Sequence, residues 1–247
     1  MAAAAPVSPE AQEIGSFARL FGVLVNPRPT FESIVRRPSF VLPIALGMVL
    51  FIAIVAIFTQ RGGWQSFFEK QDARSSRFQQ MPQEDQQKTL DAQLKFAPTF
   101  GYVEGVVLPI LGSVIVATVF LGVFNLTGSS KFGFSVALGI VAYAWTPWII
   151  HGLLSVLILF LKDPTTVDLE NLVASNPGAF LSDDAPKWLA TLLSSVDIFA
   201  IWTMILLAIG FSATNPKKLS FGKALSMVVV VWIFFVLVKV GISSLFS

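Results

Sequence analysis

The sequence predicts an all-α membrane protein, a bundle of five transmembrane helices with amphipathic interfacial helices at the membrane surfaces. Apolar residues make up 54% of the chain and charged residues 13%, against about 25% charged residues in ordinary soluble proteins. The apolar residues fall in five long segments, and about 20 apolar residues are needed to cross roughly 30 Å of hydrocarbon. Such a chain buries its surplus apolar surface in lipid rather than in a soluble core.

The five predicted spans divide the chain into two regions. Residues 1–39 form a cytoplasmic amphipathic region, and residues 40–247 form the membrane domain, with an outer loop at 59–101. The predicted spans are about 40–58, 102–126, 132–161, 188–211 and 221–245. The start of the chain, MAAAAPVSPEAQEIG, lacks the basic and apolar regions of a signal peptide, so we expect the first span to act as the insertion signal.

The third segment allows two topologies because Pro147 lies in its middle. Proline removes a backbone donor and kinks a helix, so this segment is either one kinked span or a re-entrant hairpin. The outer loops of the one-span topology contain eight basic and ten acidic residues. Short flanks rich in Lys and Arg stay cytoplasmic. We therefore expect one kinked span, with the N-terminus inside and the C-terminus outside. The segments that this topology places inside contain few acidic residues. Their basic residues are Arg19, Arg28, Arg36, Arg37, Lys131, Lys217, Lys218 and Lys223.

Helical patterns also occur outside the spans. Ser8 and Pro9 are a favourable cap and first residue, and Phe17 and Phe21 follow at helical spacing. This pattern predicts an amphipathic helix on the inner membrane surface. A short helix at 29–36 leads into the first span, and the outer loop contains a helix that starts near Pro82.

Several motifs in the second half of the chain follow a recognisable order. Tyr143 and Pro147 form a Tyr-x-x-x-Pro element, and the last two spans contain Asp197, Phe199, Trp202, Gly210, Gly222, Lys223 and Ala224. In this order the chain resembles the Yip family of Ypt/Rab-interacting-protein-like integral membrane proteins, from roughly Phe21 to its end.

The resemblance implies five spans and a cytosolic N-terminal region. Eukaryotic members of the family are tied to vesicle traffic and Rab-type GTPases. This chain looks more like the short prokaryotic type, because it has no long cytosolic N-terminal domain before the first span. GTPase binding is therefore doubtful, and the layout favours a bacterial inner membrane as the location.

Four ionisable residues fall within the predicted spans: Glu104, His151, Asp197 and Lys239. An ionisable group inside the bilayer is costly and is by default a functional hypothesis. The predicted topology places all four in the outer half of the membrane, with Glu104 near the outer edge. They form either a polar cluster that couples protons or ions, or a structural set in which Asp197 clamps helices, Glu104 is interfacial and Lys239 snorkels to the surface. Pro109 and Pro147 are candidate helix kinks.

The sequence shows no pattern typical of an enzyme. It contains no Gly-rich phosphate loop, no nucleophile elbow and no zinc spacing, and it has one His and no Cys. We therefore expect no catalytic residue, no cofactor, no metal and no nucleic-acid partner.

Three functions remain as hypotheses. The first is a non-enzymatic protein that organises or scaffolds the lipid bilayer and its membrane proteins. The second is a small ion or solute transporter that uses the intramembrane polar residues. The third is an accessory subunit of a larger membrane complex. Partners are expected to be the lipid bilayer and either other membrane proteins or a second copy of the chain.

Overall fold

The computed structural model describes residues 14–73, 75–127, 129–169, 171–182 and 185–245, so the cap predicted at Ser8 and Pro9 lies outside the described residues. Within these ranges the secondary structure is helical, without strands. The helices are α1 (Ser16–Val25), α2 (Pro27–Arg36), α3 (Val41–Gln60), α4 (Gly63–Ala73), α5 (Ser76–Gln79), α6 (Gln83–Leu126), α7 (Phe134–Ala144), α8 (Thr146–Leu161), a 3₁₀ helix (Pro177–Phe180), α9 (Lys187–Ser195), α10 (Ile198–Ser212) and α11 (Phe221–Leu245).

The long apolar helices confirm the predicted fold class. Within the described residues, α3, α6, the α7–α8 segment and α11 are each long and apolar enough to cross a membrane. The pair α9 and α10 meets the same test but is bent by 47°, and it gives a fifth span if it crosses as one unit. The protein is therefore an all-α membrane bundle.

Helix α6 is far longer than the span predicted within it. It runs without interruption for 44 residues and contains both Pro98 and Pro109. At about 1.5 Å per residue this is roughly 66 Å, or about twice the hydrocarbon thickness. The helix predicted near Pro82 does begin there, with Glu84 and Asp85 in its first turn. It then continues directly into the span instead of ending in the loop.

The segment around Pro147 continues in one direction as a single 28-residue candidate span, Phe134–Leu161. It breaks at Trp145, and Pro147 lies in the first turn of α8. Proline leaves the carbonyl four residues earlier without its helical donor, which here is the carbonyl of Tyr143. The Thr146 hydroxyl donates to that carbonyl at 2.6 Å. The broken backbone bond is thus replaced locally, and the chain does not turn back as a re-entrant hairpin would.

Contacts between connections define the two ends of the bundle. At one end, the Thr214 hydroxyl bonds that of Ser130 at 2.8 Å, which joins the α6–α7 and α10–α11 turns. We call this the hairpin end, because α1 and α2 also pack there. At the other, the loop end, Arg61 donates to the carbonyls of Leu159 and Lys162. Arg61 thereby caps α8 with a cation, which suits the negative end of a helix dipole.

The hydrophobic core lies towards the hairpin end, between α2, α6, α7 and α10. Phe31 and Ile34 of α2 are fully buried there. A methyl group at Gly210 would lie 2.5 Å from Ile140 and 2.9 Å from Phe31. Only glycine therefore permits this approach of α10 to α2 and α7. The short helix predicted at 29–36 is thus an integral part of the bundle core.

Arg19 holds α1 against the rest of the bundle. Its side chain is 6% exposed, although the sequence places it with the cytoplasmic basic residues. One terminal nitrogen donates to the Arg37 carbonyl and to the Ser39 hydroxyl, each at 2.9 Å. The other donates to the Ser33 hydroxyl at 3.0 Å. A planar guanidinium suits such a fork because its donors diverge at fixed angles.

The network continues into α7 through Tyr143, which is fully buried. Its phenol oxygen lies 3.2 Å from the Ser39 hydroxyl and donates to the Ser16 carbonyl at 3.1 Å. Arg19 and Tyr143 thus connect α1, the end of α2 and the middle of the third span. The position of α1 is fixed by buried hydrogen bonds as well as by apolar contact.

We expect Arg19→Met to lower the free energy of unfolding by about 2–4 kcal/mol, because it leaves buried carbonyls and hydroxyls without their charged donor. Unfolding of the purified protein in mild detergent, followed by circular dichroism, measures this loss. The matched control is Arg28→Met, because the Arg28 side chain is 75% exposed and pairs with Glu32 across one turn. Its loss should stay below about 1 kcal/mol. Equal losses in the two variants would contradict the role of Arg19.

Candidate functional site

A cavity of about 1090 Å³ lies among α3, α4, α6 and α8. Its wall is mainly aliphatic and aromatic, and includes Phe51, Phe58, Trp64, Phe100, Trp145 and Trp148. Glu104 and His151 are its ionisable lining residues among those described. A large apolar cavity with a few polar groups is the usual form of a ligand site. The cavity is therefore the candidate functional site.

The cavity is roofed at the loop end by α4. Gly62 has a positive φ of 72°, and a methyl group at Gly63 would lie 2.5 Å from the Phe58 ring. These two glycines let α4 fold back closely over the end of α3. Trp64 then lies 5.1 Å from Phe58 between ring centres, and its indole donates to the Thr59 hydroxyl at 2.8 Å. The roof is a fixed aromatic cluster.

The depth of Glu104 follows from its neighbour Gly105. A methyl group at Gly105 would lie 2.9 Å from Phe51 and 3.3 Å from Ile52, so α6 touches α3 closely at this level. Ile52 is roughly 12 Å from the loop end of α3 and roughly 17 Å from its other end, at 1.5 Å per residue. Glu104 is therefore level with the middle of α3, and its position near the outer edge of the membrane stays a prediction.

His151 lies at the same level on the other side of α3. A methyl group at Gly152 would lie 3.2 Å from Leu50, so α8 also touches the middle of α3. The imidazole is enclosed by the rings of Trp148 and Phe199, at 5.3 and 5.2 Å between centres. Its Nδ1 is 3.5 Å from the Ser155 hydroxyl. The structure thus brings Glu104 and His151 to one level of the same cavity.

Asp197 occupies the break between α9 and α10, where it caps α10. Its carboxylate is 5% exposed and accepts the backbone N–H groups of Phe199 at 2.7 Å and Ala200 at 3.4 Å. The Ser175 hydroxyl donates to its second oxygen. Its carboxylate thus bonds a helix N-terminus and a loop hydroxyl. That Asp197 acts as a structural clamp between helices stays a prediction.

Lys239 does not join the other three ionisable residues. Its side chain is exposed on α11, and within the described part of the chain it makes no hydrogen bond or ion pair. Of the four predicted residues, Glu104 and His151 line the cavity and Lys239 is apart. Asp197 caps the helix whose Phe199 ring contacts His151. Whether these residues form a functional cluster stays a prediction.

Of the two candidate kinks, Pro109 lies inside the continuous helix α6 and lines the cavity. The Ser113 hydroxyl donates to its carbonyl at 2.7 Å. Pro147 follows the break at Trp145. That either residue serves as a functional kink stays a prediction.

Two buried polar groups could not be recognised from the sequence. One is the Arg19 network, because Arg19 looks like an ordinary surface cation on an amphipathic helix. The other is Asp72 of α4, which is 8% exposed and accepts the Gln93 amide at 3.3 Å. Gln93 in turn lines the cavity. The Tyr-x-x-x-Pro element at Tyr143 was the one signal that pointed near the first group.

In the loop after α8, the Thr165 backbone N–H donates to Asp163 at 3.0 Å and its hydroxyl at 2.9 Å. These two bonds favour the ionised carboxylate and hold the pKa of Asp163 below its usual value. Arg61, which caps α8, adds to this effect. The group is fully exposed, so it orders the turn without forming part of the cavity.

The model of the Yip1 domain matches residues 21–242 of the chain. This chain belongs to the Yip1 domain family. The family resemblance found in the sequence is therefore confirmed. No curated protein and no solved structure matches the chain. The Yip1 match covers all residues that line the cavity and ends before the last residues of α11. Arg19 lies two residues before the matched region.

We expect Asp197→Ala to lower the free energy of unfolding by about 1–3 kcal/mol, because two buried N–H groups lose their acceptor. Asp197→Asn keeps a side-chain oxygen for the cap and should cost less than about 1 kcal/mol. Unfolding in mild detergent measures both values. Lys239→Ala is the control, with a change within about 0.5 kcal/mol. A loss from Lys239→Ala as large as that from Asp197→Ala would indicate an ion pair instead of a cap.

Proposed function

We propose that this Yip1 family member is a non-enzymatic protein that organises the membrane by inserting α1 into one leaflet. The single observation that carries the proposal is a row of exposed apolar side chains on α1. Phe17, Phe21 and Val25 follow at four-residue spacing and are 65%, 59% and 82% exposed. A helix presents such positions on one face.

The opposite side of α1 is buried. Leu20 and Val23 pack into the core, and Arg19 bonds the end of α2. The rings of Phe17 and Phe21 contact each other edge to face, with 5.4 Å between centres. The contacts on the buried side of α1 thus hold the exposed row in position. This arrangement favours a fixed wedge over a freely swinging amphipathic helix.

A helix inserted in this way increases the area of the leaflet that it enters. An interfacial helix buries its apolar face roughly 5–10 Å into the boundary between headgroups and acyl chains. Because α1 packs at the hairpin end, it would add area to one leaflet and not to the other. Basic residues at this end, including Arg28, Lys217 and Lys218, would favour an anionic surface. We propose that this end faces the cytoplasm of a bacterial cell.

Reconstituted liposomes containing anionic lipid test the wedge. The wild-type protein should produce tubules or small vesicles that cryo-electron microscopy can count. Phe17→Ser/Phe21→Ser should abolish this effect, because it removes most of the apolar face without touching Arg19. Phe17→Leu/Phe21→Leu is the matched control and should keep the effect, since leucine retains the apolar surface. Unchanged vesicle shapes with the wild-type protein would contradict the proposal.

A second function, transport through the bundle, is favoured by a different observation. Glu104 and His151 both line the cavity, and both lie level with the middle of α3. Ionisable residues at such depth commonly mark a substrate or ion pathway. The break at Asp197 also resembles the discontinuous helices of transporters, whose half-helix ends face the substrate. We propose Glu104 as the residue on which such transport would depend.

Flux into liposomes loaded with a pH-sensitive or solute-sensitive dye tests this candidate. Glu104→Gln should reduce flux to the level of empty liposomes, because it removes the carboxylate from the cavity while the amide keeps the shape of the side chain. Asp197→Asn should retain flux, because the helix cap survives. If wild-type and Glu104→Gln liposomes both match empty ones across a broad solute panel, the transport function is excluded.

Helix α11 has a surface that favours contact with the proposed partners. Much of its outward surface is exposed and apolar, including Val230, Phe234 and Leu237. In the membrane this surface would face lipid, another membrane protein or a second copy of the chain. We propose it as the surface through which the protein would join an assembly.

A further inference from the structure

We propose that the cavity binds one lipophilic organic cation, with its charged centre at Glu104 and its apolar groups against the aromatic wall. As a substrate class this rests on the transport candidate above, although binding itself does not require transport. The volume of about 1090 Å³ lies just above the roughly 300–1000 Å³ typical of small-molecule sites. A bulky ligand is therefore accommodated.

The sign of the ligand charge follows from the cavity wall. Among the described residues, Glu104 is the only Asp, Glu, Lys or Arg that lines the cavity. Its side chain is exposed at the cavity wall and makes no hydrogen bond or ion pair with the residues that the structure describes. An unpaired carboxylate at this depth is costly in a membrane. A cation placed beside it would remove that cost, whereas an anion would increase it.

The rest of the wall selects an organic cation over a metal ion. Hard cations such as Ca²⁺ need about six to eight oxygen ligands to replace their water, and this wall is mainly hydrocarbon. Aromatic faces instead attract a weakly hydrated cation through the quadrupole of the ring. Phe51 and Trp148 line the cavity together with Glu104. Charge and aromatic surface thus point to the same ligand class.

The polar lining also includes His151, two serines (Ser113 and Ser155) and two glutamines. His151 lies level with Glu104, whereas Gln71 belongs to the roof helix α4 and Gln93 to α6. A ligand with a fixed charge and no titratable proton separates the effect of the carboxylate from that of the imidazole. Tetraphenylphosphonium is such a probe, and tetraphenylborate has nearly the same shape with the opposite charge.

The test is equilibrium binding of the two probes to the purified full chain in an uncharged detergent, with empty micelles subtracted. The wild-type protein should bind tetraphenylphosphonium saturably at one site and at least about tenfold more tightly than tetraphenylborate. Glu104→Gln should weaken binding of the cation by about tenfold or more. Glu104→Asp, which keeps the charge, should retain most of it.

Glu84→Gln is the matched control. Glu84 lies on the same helix but outside the cavity, where it pairs with Lys88 at 2.6 Å, so its loss should leave binding unchanged. Trp148→Leu should weaken binding of the cation with the carboxylate intact, which keeps the proposal testable if Glu104→Gln fails to fold. Equal binding of both probes, or equal binding by wild type and Glu104→Gln, would overturn the proposal. If the cation binds but no flux is measured, transport is excluded and the binding proposal stands.

Discussion

The close contact of α6 and α8 with the middle of α3 determines the geometry of the candidate site. Three glycines make this contact: Gly101 and Gly105 on α6, and Gly152 on α8. Small residues allow membrane helices to approach closely, because dispersion contact replaces the hydrophobic effect inside lipid. Glu104 directly precedes Gly105, and His151 directly precedes Gly152. The same packing that brings the helices together therefore sets both ionisable side chains at one level.

A second constraint is the need to satisfy every backbone polar group inside a membrane. The chain breaks its helices at two places within the bundle, and each break carries its own replacement partner. At Pro147 the partner is the Thr146 hydroxyl, and at the α9–α10 break it is the Asp197 carboxylate. Asp197 is thus explained by capping, without a salt bridge to Lys239. Glu104, in contrast, makes no hydrogen bond or ion pair within the described part of the chain.

The two ends of the molecule carry different properties. At the hairpin end, Arg19 and Tyr143 hold α1 so that Phe17 and Phe21 face outwards. Towards the loop end, α4 closes an apolar cavity with an aromatic roof. The proposed shaping of the bilayer and the proposed binding of a ligand therefore concern separate surfaces. Substitutions at one need not disturb the other.

The sequence by itself determined the helical membrane class, the family and the presence of a break near Pro147, because these depend on local composition, spacing and residue type. It could not determine that α6 continues through its two prolines, that Arg19 is buried, or that Lys239 lies apart from Glu104. Those outcomes depend on register between helices distant in the chain; Ser39 and Tyr143, for example, are 104 residues apart. No local period encodes such a register. The register is decided only by how side chains of neighbouring helices pack against Gly105, Gly152 and Gly210.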